Sequence, residues 1–209
     1  MIIVRAPLRI SFGGGGSDLP SYYERFGGFV ISAAIDKHVY VGINKPFTNK
    51  YSIRYSSQEL VLEPSQIKHP IIREAIKLHG VGPVEVVSLA DIPAGTGLGS
   101  SGSFTVALLR AIYAYKRELV TTSSLAEEAC HIEMNLLKEP VGKQLPHSAA
   151  LLASRSTTVD KCRFRRSRLR TEPSMTSKIT SCCFSLAIHA VPRPYSQTRS
   201  KNRRQATRT

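Results

Sequence analysis

Four glycines and three serines fall within eleven residues, Pro93-Ala94-Gly95-Thr96-Gly97-Leu98-Gly99-Ser100-Ser101-Gly102-Ser103, between a strand-like and a helix-like segment. Glycine lets the main chain bend so that successive N–H groups converge on one centre. A helix starting there adds its own N-terminal N–H groups and the positive end of its dipole. Such a loop suits phosphate, and Ser100, Ser101 and Ser103 add hydroxyls able to reach a phosphate oxygen or a magnesium ion. A flexible Gly/Ser linker is the plainer reading, but linkers are not usually held tightly between a strand and a well-patterned helix.

Two other phosphate motifs are tested by the same residues. Gly97-Leu98-Gly99-Ser100-Ser101-Gly102 satisfies G-x-G-x-x-G, yet the following helix runs through Thr121-Thr122-Ser123-Ser124 into another helix instead of a second parallel strand with an acidic end. A Walker loop fails because Gly102 is followed by Ser103 and Phe104, not by Lys and Ser/Thr.

A second constellation lies at the N-terminus, where Arg5-Ala6-Pro7-Leu8-Arg9-Ile10-Ser11-Phe12 leads into Gly13-Gly14-Gly15-Gly16-Ser17-Asp18. The glycines let a ligand approach the backbone. Arg9 and Asp18 flank them with opposite charges, suited to an anionic group and to sugar hydroxyls. A hairpin turn carrying a surface ion pair is an equally good account of this segment alone.

The elements that must position these residues follow from hydrophobic spacing. Short runs rich in Val, Ile, Phe and Tyr read as strands at 1–4, 8–12, 29–35, 39–43 and 51–55, and 84–92 returns to a strand broken by Pro93. Ile71, Ile72, Ala75, Ile76 and Leu78 suit a short helix. Phe104, Leu108, Ile112 and Tyr115 predict an amphipathic helix from about Ser101 to Glu118. Ser124 and Glu127 form a capping-box pattern ahead of Leu125, Ala129, Ile132 and Leu136 on a second helix. Several strands, a Gly loop and two consecutive helices argue for an α+β fold.

Composition divides the chain. It has 209 residues, 42% of them hydrophobic, and a formal charge of +14. Residues 145–209 hold 14 Lys and Arg against 2 Asp and Glu, whereas residues 1–144 hold 15 against 13. All 14 glycines lie between Gly13 and Gly142. The basic, glycine-free part shows no sustained period and is expected to lack regular structure. The four cysteines have no C-x-x-C spacing, so neither a zinc site nor a disulfide framework is indicated. The N-terminus lacks the apolar core of a signal peptide and no run approaches a membrane span, which reads as a cytoplasmic protein.

Together the two glycine-rich segments resemble motifs of the GHMP kinases. Arg5–Asp18 resembles the family's first motif and Pro93–Ser103 its P-x-x-x-G-L-G-S-S phosphate loop. The details are most similar to the sugar-kinase branch that includes heptose 7-phosphate kinase. The resemblance covers residues 1–144 and implies an N-terminal domain like domain 2 of ribosomal protein S5, with ATP and Mg2+ as cofactors and a sugar or sugar phosphate as acceptor. It implies that Pro93, Gly95, Gly97, Leu98, Gly99, Ser100, Ser101, Gly102 and Ser103 bind the nucleotide, and that Ser101 and Glu133 ligate the metal. It further implies that Arg9, Gly15, Gly16, Ser17 and Asp18 face the acceptor, with Arg9 also serving the reaction. Taken alone, Glu133 would be an ordinary solvated helix residue.

The resemblance stops at one point. Members of this type continue from a segment like Glu139-Pro140-Val141-Gly142-Lys143-Gln144 into Asp-Gln, where the aspartate is the proposed base, and this chain has Leu145 there. Nothing from Pro146 onward resembles the third motif or the C-terminal domain. A shifted reading frame would produce this change, and the expectation is a truncated kinase with impaired acceptor chemistry. The other reading takes residues 145–209 as a basic nucleic-acid-binding arm with Phe164, Phe184 and Tyr195 stacking on bases. It is weakened by the sparse aromatics and the lack of a recognised nucleic-acid fold.

Overall fold

The computed structural model describes residues 1–139, 141–142, 146–147 and 149–150, and the backbone of Ser185–Val191. Strand β1 (Ile2–Gly13) pairs antiparallel with β2 (Gly28–Asn44). Helix α1 (Pro20–Phe26) lies between them in sequence. A hairpin of β3 (Tyr51–Arg54) and β4 (Gln58–Val61) is followed by a 3-10 turn and by α2 (Pro70–His79). Then come β5 (Glu85–Ala90), α3 (Ser100–Lys116) and α4 (Thr122–Cys130), which runs on as a π-helical segment, His131–Leu136. The sheet order is β1-β2-β5-β3-β4, with β3 and β5 parallel and the other pairs antiparallel. The class is α+β.

One sheet face carries the core. Val4, Ala6, Leu8, Val41, Ile43 and Val86 are buried against Ile72, Ile76, Leu108, Ile112 and Leu125 of the helices. Burying a large aliphatic side chain contributes about 1.5–3 kcal/mol, so this layer dominates the stability. Its alternation breaks where β1 shifts register between Pro7 and Arg9. Proline has no N–H to give to a ladder, and a bulge accommodates that loss. Pro7, Leu8 and Arg9 are in consequence all buried, and a charged side chain is carried inward.

Several expectations change. The runs at 1–4 and 8–12 are one strand, as are those at 29–35 and 39–43, because β1 pairs with β2 on both sides of Pro7 and of Asp36-Lys37, where β2 bulges. Helix α1 and strand β4 had no apolar period to announce them. Helix α3 is not amphipathic in place: Gly102 to Leu109, Ala111 and Ile112 are all buried, because it lies between the sheet and the helices α2 and α4. The cap of α4 is Thr121, one turn before Ser124, and its Oγ1 accepts from the Ser124 N–H at 3.1 Å.

Within the part expected to lack regular structure, Ser185–Val191 forms strand β6, antiparallel to Gly28–Ala34 of β2. It takes the stretch of the β2 edge that β5 leaves open, and an edge that recruits a strand is invisible to the periodicity of the recruited segment. Among the described residues no helix is long and apolar enough to cross a membrane.

Candidate functional site

The Gly95–Gly99 loop reaches α3 through three glycines in the left-handed region, with φ of 85° at Gly95 and 74° at Gly97 and Gly99. A Cβ at Gly95 or Gly97 would meet nothing within 4 Å, so glycine is required there by conformation and not by crowding. Gly99 (φ 74°, ψ 31°) is the N-cap of α3. The first turn of a helix has N–H groups with no carbonyl partner inside the helix, and here they belong to Ser100, Ser101 and Gly102. Those groups and the dipole suit an anion.

The two glycine-rich segments meet. The Arg9 N–H donates to the Leu98 carbonyl at 3.1 Å, and Ser103 Oγ donates to the Pro7 carbonyl at 2.9 Å. The second bond corrects the expectation for Ser103: its hydroxyl is fully buried and turned to β1, away from any ligand. Ser101 is exposed at the mouth of the loop, and its hydroxyl donates to Glu133 Oε1 at 3.1 Å.

Glu133 is not the solvated helix residue its sequence neighbourhood suggests. It is wholly buried, in the π-helical continuation of α4, a distortion frequent at functional sites. Oε1 accepts from Thr105 Oγ1 at 2.5 Å as well as from Ser101, and Oε2 is buried with no hydrogen-bond partner among the described residues. Burial raises its pKa, the two hydroxyl hydrogen bonds oppose that rise, and the Glu139 charge adds to it. A hard divalent cation fits this set. Among the described residues no group of three or more His, Cys, Asp and Glu forms a metal cage, and magnesium is typically held by one or two carboxylates plus substrate phosphates.

Arg9 and Asp18 are brought together, and both are buried, which separates them from the surface ion pair of an ordinary hairpin. Burial lowers the Arg9 pKa while the Asp18 charge raises it, and Arg9 Nε has no hydrogen-bond partner among the described residues. Gly142 packs directly on the Asp18 carboxylate: a Cβ there would lie 2.0 Å from Oδ2. Gly15 and Gly16 are exposed beside them. Ser17 is an anchor, its hydroxyl accepting from the Phe29 N–H at 3.1 Å and lying 2.8 Å from the Gly14 carbonyl, so its one proton is committed to the local backbone.

A cleft of about 870 Å³ opens beside the loop, lined by Tyr55, His69, Phe104, the 88–95 segment, Ser100 and Ser101. This is within the size range of small-molecule sites. Sequence reasoning missed its far wall because Tyr55, His69 and Phe104 come from three separate elements. His69 stacks edge-on to Tyr55 at 4.9 Å between centroids and lies 5.1 Å from Phe104. The Tyr55 hydroxyl donates to Glu59 Oε1 at 2.6 Å, and Glu59 Oε2 accepts the Lys68 N–H at 2.7 Å. Burial lowers the His69 pKa against the opposing pull of Glu59, which favours the neutral ring. Leu145 lies outside the described residues, as do Phe164, Phe184 and Tyr195.

Comparison with known proteins gives a family and a fold to set beside this geometry. Residues 67–150 match the GHMP kinases N terminal domain. The chain is 25% identical over 162 residues to D-glycero-alpha-D-manno-heptose 7-phosphate kinase of Campylobacter jejuni, covering 71% of this chain and 48% of that protein. The crystal structure of a D-glycero-D-manno-heptose 1-phosphate kinase from Bacteriodes thetaiotaomicron superposes with a TM-score of 0.66 at 25% identity, over 72% of this chain and 53% of that one. Streptococcus pneumoniae phosphomevalonate kinase, solved with phosphomevalonate and AMPPNP, shares the fold at a TM-score of 0.59 and 18% identity, over 72% and 47%. The chain thus spans about half the length of the relatives it matches. The match over residues 67–150, the fold and the sequence likeness agree in likening this chain to the N-terminal domain of the GHMP kinases.

Proposed function

We propose that the chain supplies the nucleotide-binding half of a kinase that moves a phosphoryl group from Mg-ATP to a hydroxyl of a sugar or sugar phosphate such as heptose 7-phosphate. The observation that carries this reading is Ser101 above the buried Glu133 at the start of a glycine-capped helix, because it sets a hard-cation ligand pair beside a phosphate cradle. In this reading residues 1–144 are the ATP-binding domain and residues 145–209 a basic tail.

Magnesium, held by Ser101 and Glu133, would neutralise charge on the phosphates. The remaining work falls to the chain. The loop and the first turn of α3 bind phosphate oxygens through N–H groups, and the cleft beside Tyr55 and Phe104 shelters the nucleoside from water. Arg9 directs its guanidinium to an anionic group of the acceptor or of the phosphate in transfer. Asp18 accepts a hydrogen bond from a sugar hydroxyl. Leu145, standing where the resemblance places a carboxylate, can neither take the acceptor's proton nor hold its hydroxyl, so turnover is slow.

Thermal melting with Mg-ATP tests the nucleotide half. A ligand at 100 times its Kd stabilises by about 2.7 kcal/mol. Wild type should gain melting temperature and Gly99→Val should not, because valine cannot hold the left-handed cap. Equal gains in both would overturn the loop assignment.

A further inference from the structure

We propose that Thr105 is the positioning residue of the cation site: by fixing one oxygen of Glu133 from inside the helix, it leaves the other oxygen and the Ser101 hydroxyl available to the ion. The inference rests on the reading of Ser101 and Glu133 as cation ligands given above.

A helical threonine has a default partner in the carbonyl four residues back, and Thr105 Oγ1 does lie 3.1 Å from the Ser101 carbonyl. Its single proton cannot serve two acceptors equally. The contact with Glu133 Oε1 is 2.5 Å, the length of a hydroxyl bonded to a carboxylate, so the proton goes there. Ser101 makes a longer contact, 3.1 Å, to the same oxygen.

The two hydroxyls differ in what they can do next. Ser101 is exposed at the loop, whereas Thr105 is wholly buried. When an ion arrives at the surface, Ser101 can turn a lone pair to it and weaken its own bond to Glu133. Thr105 lies out of the ion's reach, and its shorter contact to the carboxylate than to the Ser101 carbonyl keeps its proton on Glu133. Glu133 therefore retains one strong donor on Oε1 while Oε2, buried and without a hydrogen-bond partner among the described residues, remains the ligand oxygen. Without Thr105 the carboxylate would depend on Ser101 alone, the group the ion is to take.

Outer partners of ligand side chains typically change metal affinity by about 10- to 100-fold when removed. The test titrates Mn2+, a hard cation visible by electron paramagnetic resonance, into the full chain with a non-hydrolysable ATP analogue. Thr105→Val, of nearly the same shape, should weaken Mn2+ by about tenfold or more, and Thr105→Ser, which keeps the donor, should restore most of it. In a Glu133→Gln background the Thr105→Val step should cost little further, because a positioning residue has no effect once the group it positions is gone. A general loss of structure would lower affinity in both backgrounds. Circular dichroism checks that each variant is folded, and if Thr105→Val is not, the Thr105→Ser and Thr105→Ala pair replaces it. Wild-type affinity in the donor-less variant, or an equal loss in both backgrounds, would overturn the role of Thr105. Absence of any nucleotide-dependent Mn2+ site in wild type would instead overturn the cation reading on which it stands.

Discussion

The Arg9 N–H donates to the Leu98 carbonyl at 3.1 Å, across 89 positions of sequence, and that bond ties the strand bearing the buried Arg9 to the loop that opens α3. Phosphoryl transfer depends on positioning more than on covalent chemistry, since donor and acceptor oxygens must lie in line. A main-chain bond between the two glycine-rich segments sets their separation without relying on any side chain.

Two glycines separate conformational need from crowding. Gly14 has φ of 84° and a Cβ there would lie 1.9 Å from the Phe29 carbonyl oxygen, whereas Gly95 has φ of 85° and open space around it. Gly95→Ala should cost roughly 1–2 kcal/mol for the left-handed backbone alone. Gly14→Ala adds a steric clash of roughly 1–3 kcal/mol and should lower the midpoint of urea unfolding further. Equal midpoints for the two variants would contradict the packing of Gly14 against β2.

The outline of this fold could be read from residue spacing, because β1, β2, β3 and β5 and helices α2 and α3 carry their own apolar runs or periods. Helix α1 could not. Its seven residues, Pro20-Ser21-Tyr22-Tyr23-Glu24-Arg25-Phe26, bury only Tyr23, so no stripe marks it. The glycine-rich loop before α3 was legible because its glycines and serines lie in consecutive residues. Glu133 stood out only through family resemblance, since the residues it bonds to, Thr105 and Ser101, are 28 and 32 residues away. Ser103 shows the converse: its sequence neighbours promised a ligand hydroxyl, and a strand 96 residues earlier claimed it.

Acid should weaken the fold through its histidines. Burial lowers the pKa of His79 against the pull of Glu128 at 2.8 Å, with Lys116 lowering it further and Glu118 opposing. His69 is lowered by burial against Glu59. A base whose folded pKa lies below its unfolded value of about 6.5 leaves the unfolded chain binding more protons, so stability falls as pH drops through that value. The melting temperature should be lower at pH 5.5 than at pH 7.5, and His79→Gln should flatten part of the slope. A profile unchanged between those pH values would show that neither ring resists protonation.

Acceptor turnover should be slow. General-base catalysis typically contributes roughly 10²- to 10⁴-fold, and a leucine at position 145 supplies none of it. With heptose 7-phosphate and Mg-ATP, ADP release should stay near the acceptor-free rate. Leu145→Asp alone should recover little if further family-like sequence is needed to enclose the acceptor. Rapid acceptor-dependent release by the unaltered chain would show that the proton leaves by another route.

Ser101 and Ser103, two positions apart on α3, should fail in opposite ways. Ser101 is exposed and bonded to Glu133, so Ser101→Ala removes a ligand of the proposed cation site and little that the fold uses. Its unfolding midpoint should stay near wild type while the Mg2+ concentration needed for nucleotide protection rises about tenfold or more. Ser103 is wholly buried and gives its proton to the Pro7 carbonyl, where the β1–β2 register shifts. Ser103→Ala leaves a buried carbonyl short of a donor at about 1–2 kcal/mol, and the lost stability should appear in urea unfolding with the Mg2+ requirement unchanged. Measuring both quantities on both variants gives a crossed pattern. The reverse pattern, with Ser103→Ala shifting the Mg2+ requirement and Ser101→Ala lowering stability, would mean that α3 is rotated in solution and presents the other serine to the phosphate.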